Sequence, residues 1–301
     1  MKNFLAALLL GLALPIAAGA SEAGNCDDPH PMRLALTPIK NPAAQLAQYR
    51  PLIHQLEEVL GRRIEIVPTP SYGTVIEGLL SDSIDLAELG PASYALALDR
   101  GARISAFATF SRPRGAGGEA ASSYRSLLIV RRDRGFDSLV RLRGTSLALT
   151  DPASTSGALL PRQMIRQLTG QPLESYFRRV TFSGTHDRAI DSLHRGQVDA
   201  AFVSSTQFDE ALRQGRLRPD EIQVLWESAQ IPHDPFVLRD RLCPALAAQV
   251  REVFLGNPAP LDKLFRELAV SGFVPTSDEP YRALRALFAE PPSRPERGKG
   301  R

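Results

Sequence analysis

Three hydroxyl residues in a row, Ser154-Thr155-Ser156, lie within Thr150-Asp-Pro-Ala-Ser-Thr-Ser-Gly157-Ala-Leu-Leu-Pro161. A strand-like apolar run precedes them and a helix-like apolar run follows. The first N–H groups of a helix have no intrahelical partner, and the helix dipole favours negative charge there. Hydroxyls gathered at such a start therefore predict an anion-binding site. An ordinary Ser or Thr cap is the plainer alternative, but capping needs one hydroxyl and not three. Pro161 conflicts with a regular helix begun at Gly157, because its ring removes a donor and clashes with the preceding turn. Either the first turn is bent or the regular helix starts later. The phosphate-cradling pattern G-x-x-x-x-G-K-[ST] is absent.

A second segment, Ser183-Gly-Thr185-His186-Asp187-Arg188, again leads from strand to helix and puts an imidazole N–H donor at the helix start. For a lone histidine, a solvent-facing residue at a helix cap is the better reading of His186. Tyr72 in Ser71-Tyr-Gly-Thr74 and Tyr94 in Gly90-Pro-Ala-Ser-Tyr94 follow strand ends. The carboxyl ends of strands are where open α/β sheets bind ligands, although either tyrosine could equally be core or rim. Ser154, His186 and Asp187 supply the residue types of a hydrolase triad. Adjacent residues on a helix point apart, however, and no G-x-S-x-G elbow surrounds the serine. The five histidines are scattered without metal-ligand spacing. The expectation is a binding module with no catalytic residue, no cofactor and no metal.

The elements that must position these residues alternate. Strands are expected at 33–38, 63–68, 84–90 and 104–111, with helices over Pro42 to Leu60, Tyr72 to Leu80 and Pro91 to Leu98. Residues 112 to 123 form a polar, Gly-rich break, after which a second series begins. It has strands at 124–132, 145–150, 180–183, 198–204 and 222–228, with helices at 157–168, 186–193 and 207–212. From Pro235 the pattern reads as mainly helical, at 239–255, 259–270 and 278–289. The repeated βα rhythm predicts mostly parallel sheets flanked by helices. Two series of unequal length suggest two lobes. Residues 21–112 and 229–289 would form a discontinuous first lobe and 113–228 the second. Two hinge crossovers would then border a cleft able to close on a ligand.

Charge narrows the partners. The 301 residues carry 36 Lys+Arg against 33 Asp+Glu. Residues 1–20 have one basic residue, an apolar run and Ala18-Gly-Ala20, the layout of a cleavable secretory signal. Residues 290–301 are rich in Pro, Gly and Arg and read as a disordered tail. Without both ends the body balances at 31 basic and 31 acidic residues, so no basic face for nucleic acid is implied. Cys26 and Cys243 remain after cleavage. In an oxidising compartment they permit a disulfide, with two buried thiols as the alternative.

Together the segments Tyr72-GTVIEGL, Leu89-GPASY, Asp151-PASTSGALLP, Ser183-GTHDRAIDSLHRGQVDAAFV and Ile231-PHDPFVLR resemble the PhnD-like periplasmic binding proteins for phosphate, phosphite and phosphonates. The resemblance spans residues 33 to 290. It implies a two-lobe periplasmic binding protein type II fold in the periplasm, a monomer capturing a small phosphorus oxyanion. It also implies a partner in the membrane, the permease of an ABC importer or, alternatively, a sensor. Ser154, Thr155 and Ser156 would take the phosphonate oxygens, and Tyr72, Tyr94, His186 and Asp234 would close the opposite wall. One departure bears on the ligand. Members that take aminoalkylphosphonates are expected to offer a carboxylate just after the VDAA strand, where this chain reads Phe202-Val-Ser-Ser-Thr206 with no acid before Asp209. Weight shifts toward phosphite, phosphate or a small alkylphosphonate.

Overall fold

Short apolar runs bounded by turn residues fold as strands in a computed structural model, which describes residues 26–112 and 122–289. The expected leader, the tail at 290–301 and the centre of the polar break lie outside the described residues. The first series runs β1 (Met32–Leu36), α1 (Pro42–Leu60), β2 (Ile64–Ile66), α2 (Tyr72–Leu80), β3 (Leu86–Glu88), α3 (Pro91–Asp99) and β4 (Ile104–Ser111). Local chemistry sets these boundaries. The Asn41 side chain caps α1 by accepting from Ala44 N, Pro42 occupies its first turn, and Gly61 ends it with a left-handed φ of 61°. Ser71 and Thr74 form a reciprocal capping box at α2.

The second series contains β5 (Ser123–Tyr124), β6 (Ser126–Arg131), β7 (Ser146–Leu149), α4 (Leu160–Thr169), α5 (Leu173–Tyr176), β8 (Arg179–Phe182), α6 (His186–His194), β9 (Ala200–Ser204), α7 (Ser205–Arg213) and β10 (Ile222–Glu227). The chain then returns through β11 (Ile231–Pro232), β12 (Pro235–Arg239), α8 (Pro244–Leu255), α9 (Asp262–Leu268), β13 (Gly272–Pro275) and α10 (Arg282–Ala289).

Two sheets result. One has the order β13-β4-β12-β3-β1-β2, the other β10-β6-β9-β7-β8. In the first, β1, β2 and β3 are parallel, and β12 enters antiparallel between β3 and β4. Each sheet has an apolar core on both faces. Leu52, Leu56, Val250 and Phe254 pack on one face of the first sheet, and Val75, Leu79 and Tyr94 on the other. Ala189, Ile190 and Leu193 cover one face of the second sheet, and Met164, Ile165 and Leu173 the other. The arrangement is a two-lobe α/β fold. The two-stranded ribbon of β5 and β11 lies where both crossings between the sheets run, with Ile231 opposite Tyr124. Far from it, Cys26 and Cys243 are joined as a disulfide across 217 residues of sequence.

The late region departs from the helical reading. Pro235–Arg239 is a fully buried strand inside the first sheet and Gly272–Pro275 is its edge. The helix expected from residue 239 begins at Pro244, with proline in the first turn. Helix α4 also starts later than Gly157. Thr155–Leu159 wind as one wide π-type turn, and Pro161 falls in the first turn of α4, where its missing donor costs nothing.

Candidate functional site

The carboxyl ends of β1, β3, β7 and β9 converge on a cavity between the lobes with an empty volume of about 650 Å³, part of it open to solvent. That position is the one open α/β sheets offer to ligands.

The hydroxyl loop forms one wall. Ser154 Oγ accepts from Gly157 N at 3.0 Å and Thr155 Oγ1 accepts from Ala92 N at 2.8 Å. Each oxygen is thereby held in place while its own O–H stays available to donate. Both residues are buried and line the cavity. Gly157 is required by packing, since a Cβ there would lie 1.8 Å from Thr150 Oγ1. The π-type turn thus folds directly against the end of β7, where Thr150 N bonds to Gly157 O.

His186 and Tyr72 add two more donors. Ser204 N donates to His186 Nδ1 at 3.1 Å, which puts the proton of the neutral ring on Nε2. Burial lowers the imidazole pKa to about 4, against the pull of Asp187, so the ring is neutral at physiological pH. Tyr72 is 2% exposed, and among the described residues its buried hydroxyl has no partner at hydrogen-bond distance, although Ser154 lies close enough to act on it. Burial, with the nearby Asp234 and Asp151 carboxyls, pushes the phenol well above its usual range, so it remains a donor.

Charged groups missed by the sequence reading share the cavity. Glu88, Arg112, Glu210 and Arg213 line it together with Asp234 and the aromatic rings of Tyr49 and Tyr124. Arg112 Nε donates to His233 Nε2 at 3.0 Å. Tyr49 Oη donates to Glu88 Oε2 at 2.6 Å. Glu88 was legible in principle, as a carboxylate at the end of the otherwise apolar strand Leu86–Glu88. Its neighbour Asp85 has the same signal and another use. Burial acts to raise the Asp85 carboxyl, but Arg33 and Arg239 pair with it and hold it below its ordinary value.

The lobes meet through specific bonds around this cavity. His186 N donates to Ile39 O at 3.0 Å, Asn41 N to Asp187 Oδ2 at 2.9 Å, and Ser93 Oγ to Ala153 O at 3.0 Å. Lys40 Nζ of the first lobe meets Glu210 Oε2 of the second at 2.6 Å, both side chains 7% exposed.

Of the residues singled out from sequence, Tyr72, Ser154, Thr155, His186 and Asp234 come together at the cavity. Ser156 and Tyr94 are not among its lining. Ser156 is buried, its carbonyl accepting from Ser126 Oγ at 2.6 Å and its side chain close to the hydroxyl of Tyr124, which does line the cavity. Tyr94 packs edge-on against Tyr281, ring centres 5.3 Å apart, in the core of the first lobe. The triad alternative finds no support in the geometry. His186 Nδ1 is occupied by Ser204, while Asp187 accepts from Asn41 N, Arg188 N and the Thr185 hydroxyl. Among the described residues, no three His, Cys, Asp or Glu side chains are grouped to hold a metal ion.

Comparison with known proteins agrees with this geometry. Residues 34–281 match the family described as the periplasmic substrate-binding protein of phosphonate ABC transporters. The chain is 30% identical over 252 residues to the phosphonates-binding periplasmic protein of Escherichia coli, covering 81% of this chain and 72% of that one. It is 28% identical over 234 residues to the phosphate-import protein PhnD of Mycolicibacterium smegmatis, covering 75% and 71%. In fold it is similar to the crystal structure of a binding component of a phosphonate ABC transporter from Pseudomonas aeruginosa. That TM-score is 0.78 at 24% identity, over 87% of this chain and 86% of the other.

Proposed function

Because the chain belongs to the family of periplasmic substrate-binding proteins of ABC phosphonate transporters, we propose that its cleft captures phosphite, phosphate or a small alkylphosphonate for a membrane permease. It is a transport component and not an enzyme, and the family is periplasmic. In this reading the protein is a monomer. Ser154 and Thr155 donate hydroxyls to the phosphorus oxygens, His186 donates Nε2–H, and Tyr72 donates its phenol. Ser156 anchors the turn through the bond from Ser126 Oγ to its carbonyl.

The observation that carries the reading is the Tyr72 hydroxyl, buried and unpartnered beside a cavity walled by held hydroxyls and a neutral imidazole. A buried donor without a partner costs about 1–3 kcal/mol, and an oxyanion in this cavity would satisfy it. Neutral donors fixed in advance suit an anion that is stripped of water, because little reorganisation accompanies binding. Thr206 lines the cavity after the VDAA strand where an amine-binding acid is expected, which favours ligands without an amine. Isothermal titration with phosphite, phosphate, methylphosphonate and 2-aminoethylphosphonate tests the proposal. Tight binding of one of the first three is expected. Absence of heat and of thermal stabilisation with all four would overturn it.

A further inference from the structure

Two acids, Glu88 and Asp234, line the cavity that is read above as an anion site, an arrangement that simple charge complementarity does not explain. They are neighbours by construction. Glu88 ends β3 and pairs in antiparallel register with Phe236 of β12, two residues beyond Asp234. The backbone fixes both ends. Glu88 O accepts from Thr37 Oγ1 at 2.8 Å and Asp234 O from Thr109 Oγ1 at 2.9 Å.

Their side chains are short of partners. Glu88 has one oxygen on Tyr49 Oη, at 2.6 Å. Among the described residues, Glu88 forms no ion pair, and the Asp234 carboxyl has neither an ion pair nor a hydrogen bond. Other acids in this fold are treated differently: Asp85 has two arginines and Glu210 has Lys40. An anion entering beside two free carboxylates would meet like charge in a poorly hydrated space.

We propose that Glu88 and Asp234 form a carboxyl pair that shares a proton with the bound oxyanion, so that ligand and proton are captured together. Glu88 is then a specificity-determining residue, for which no role was read from the sequence. A neutral carboxyl donates an O–H to a phosphorus oxygen, or a carboxylate accepts one from a P–OH group. Either way the complex holds one proton on the line between the pair and the ligand. A ligand bearing an ammonium group would need both carboxylates ionised and would expel that proton. The inference rests on the proposed function and names the class within it: an amine-free oxyanion bound with one proton.

The surroundings support a proton rather than a fixed cation. Burial pushes Glu88 up to about 7, against the Tyr49 hydrogen bond and the charge of Lys40. Burial and then the charge of Glu88 push Asp234 well above its ordinary value, against Arg112. Lys40 is committed to Glu210, and Arg112 donates to His233. His186 and His233 are both held neutral by burial. Tyr49, Tyr72, Tyr124 and Tyr281 all sense the Asp234 charge and stay phenolic. Arg213 lies on the same cavity wall from α7. Glu88 and Asp234 are therefore the groups placed to take up the proton near neutral pH.

The test is titration with methylphosphonate at pH 8 in buffers of different ionisation enthalpy, on the intact protein and on E88Q, D234N and the double variant. The intact protein should take up about one proton per ligand. Above pH 8 its affinity should fall about tenfold per pH unit, the slope for one linked proton. An amide mimics a neutral carboxyl, so the double variant should lose both the proton uptake and the slope. Each single variant should show less uptake than the intact protein. The ligand's own ionisation is common to all four proteins and cancels in the comparison. Equal uptake in the intact protein and the single or double variants, or proton release by the intact protein, would overturn the proposal. The intact protein alone decides the sign if a variant fails to fold. If methylphosphonate, phosphite and phosphate all give no heat, it is the proposed function that fails.

Discussion

Lys40 and Glu210 form a buried ion pair across the two lobes, Nζ to Oε2 at 2.6 Å, and Gln48 Nε2 adds a bond to the same carboxylate at 3.3 Å. Burial acts to raise the Glu210 carboxyl, but the charge and hydrogen bond of Lys40 hold it below its ordinary value. The pair therefore ties the lobes together only while the carboxylate is ionised, and its contribution is lost as pH falls through the depressed pKa.

Removing one partner should open the molecule. A buried charge left alone costs about 3–5 kcal/mol, and that cost falls only on the form in which the lobes meet. E210Q should therefore weaken ligand binding by at least about a hundredfold and shift the scattering profile toward a wider separation of lobes. K40M/E210M should recover much of both, because no unpaired charge remains. Calorimetry and small-angle X-ray scattering read the two effects.

Tyr72 separates binding from folding. Its hydroxyl has no partner at hydrogen-bond distance among the described residues, so Y72F should leave the ligand-free melting temperature unchanged or slightly higher. A hydrogen bond to a charged group contributes about 1.5–3 kcal/mol, so affinity should fall by about ten to a hundredfold. Equal affinities of Y72F and the intact protein would remove Tyr72 from the site.

Two buried histidines set an acid limit. Burial lowers His186 to about 4 and His233 to about 3, the latter with help from Arg112. Both folded values lie below the unfolded value of 6.5, so the unfolded chain binds more protons as pH drops below 6.5. Stability is then complete above that pH and declines beneath it. Between pH 7 and 5.5 the two histidines together take away about 2–3 kcal/mol, while the raised carboxyls of Glu88 and Asp234 act in the opposite sense. The histidine share is therefore read as a difference, H233N losing about 1 kcal/mol less than the intact protein over that range by urea unfolding.

The disulfide closes a loop of 217 residues and anchors the first described residues to the start of α8. Asp27 N also bonds to Arg241 O, and Asp27 pairs with Arg239. Chain-entropy arguments assign such a loop about 5.4 kcal/mol. C26S/C243S should lower the melting temperature by several degrees without altering ligand affinity, because the bond lies far from the cavity.

Much of this could be read from local pattern. The βα rhythm located most strands of both sheets, and the Ser154-Thr155 loop and His186 stood out by residue type and by position after a strand. The rest depends on contacts between distant parts of the chain. Pro235–Arg239 is only five residues long, and nothing within it reveals that β3 and β4 will accept it between them. Tyr94 and Tyr72 follow similar strand ends, yet Tyr94 turns into the core because Tyr281, from the far end of the chain, covers it. Nothing in the sequence around Lys40 or Arg112 marks them for the cleft, because their partners come from distant parts of the chain. Arginines and carboxyls that residue type and spacing did not mark therefore share the cavity with the hydroxyls.

The central claim is that a phosphorus oxyanion sits between the lobes on Ser154, Thr155, Tyr72 and His186. A crystal structure of the protein with methylphosphonate or phosphite tests it most directly. The account requires phosphorus density in the cleft, with oxygens within about 3 Å of Ser154 Oγ, Thr155 Oγ1, Tyr72 Oη and His186 Nε2. Density instead at the separate surface hollow where Arg131, Arg132 and Arg218 stand among Asp133, Asp220 and Glu221, with the cleft holding only water, would contradict it.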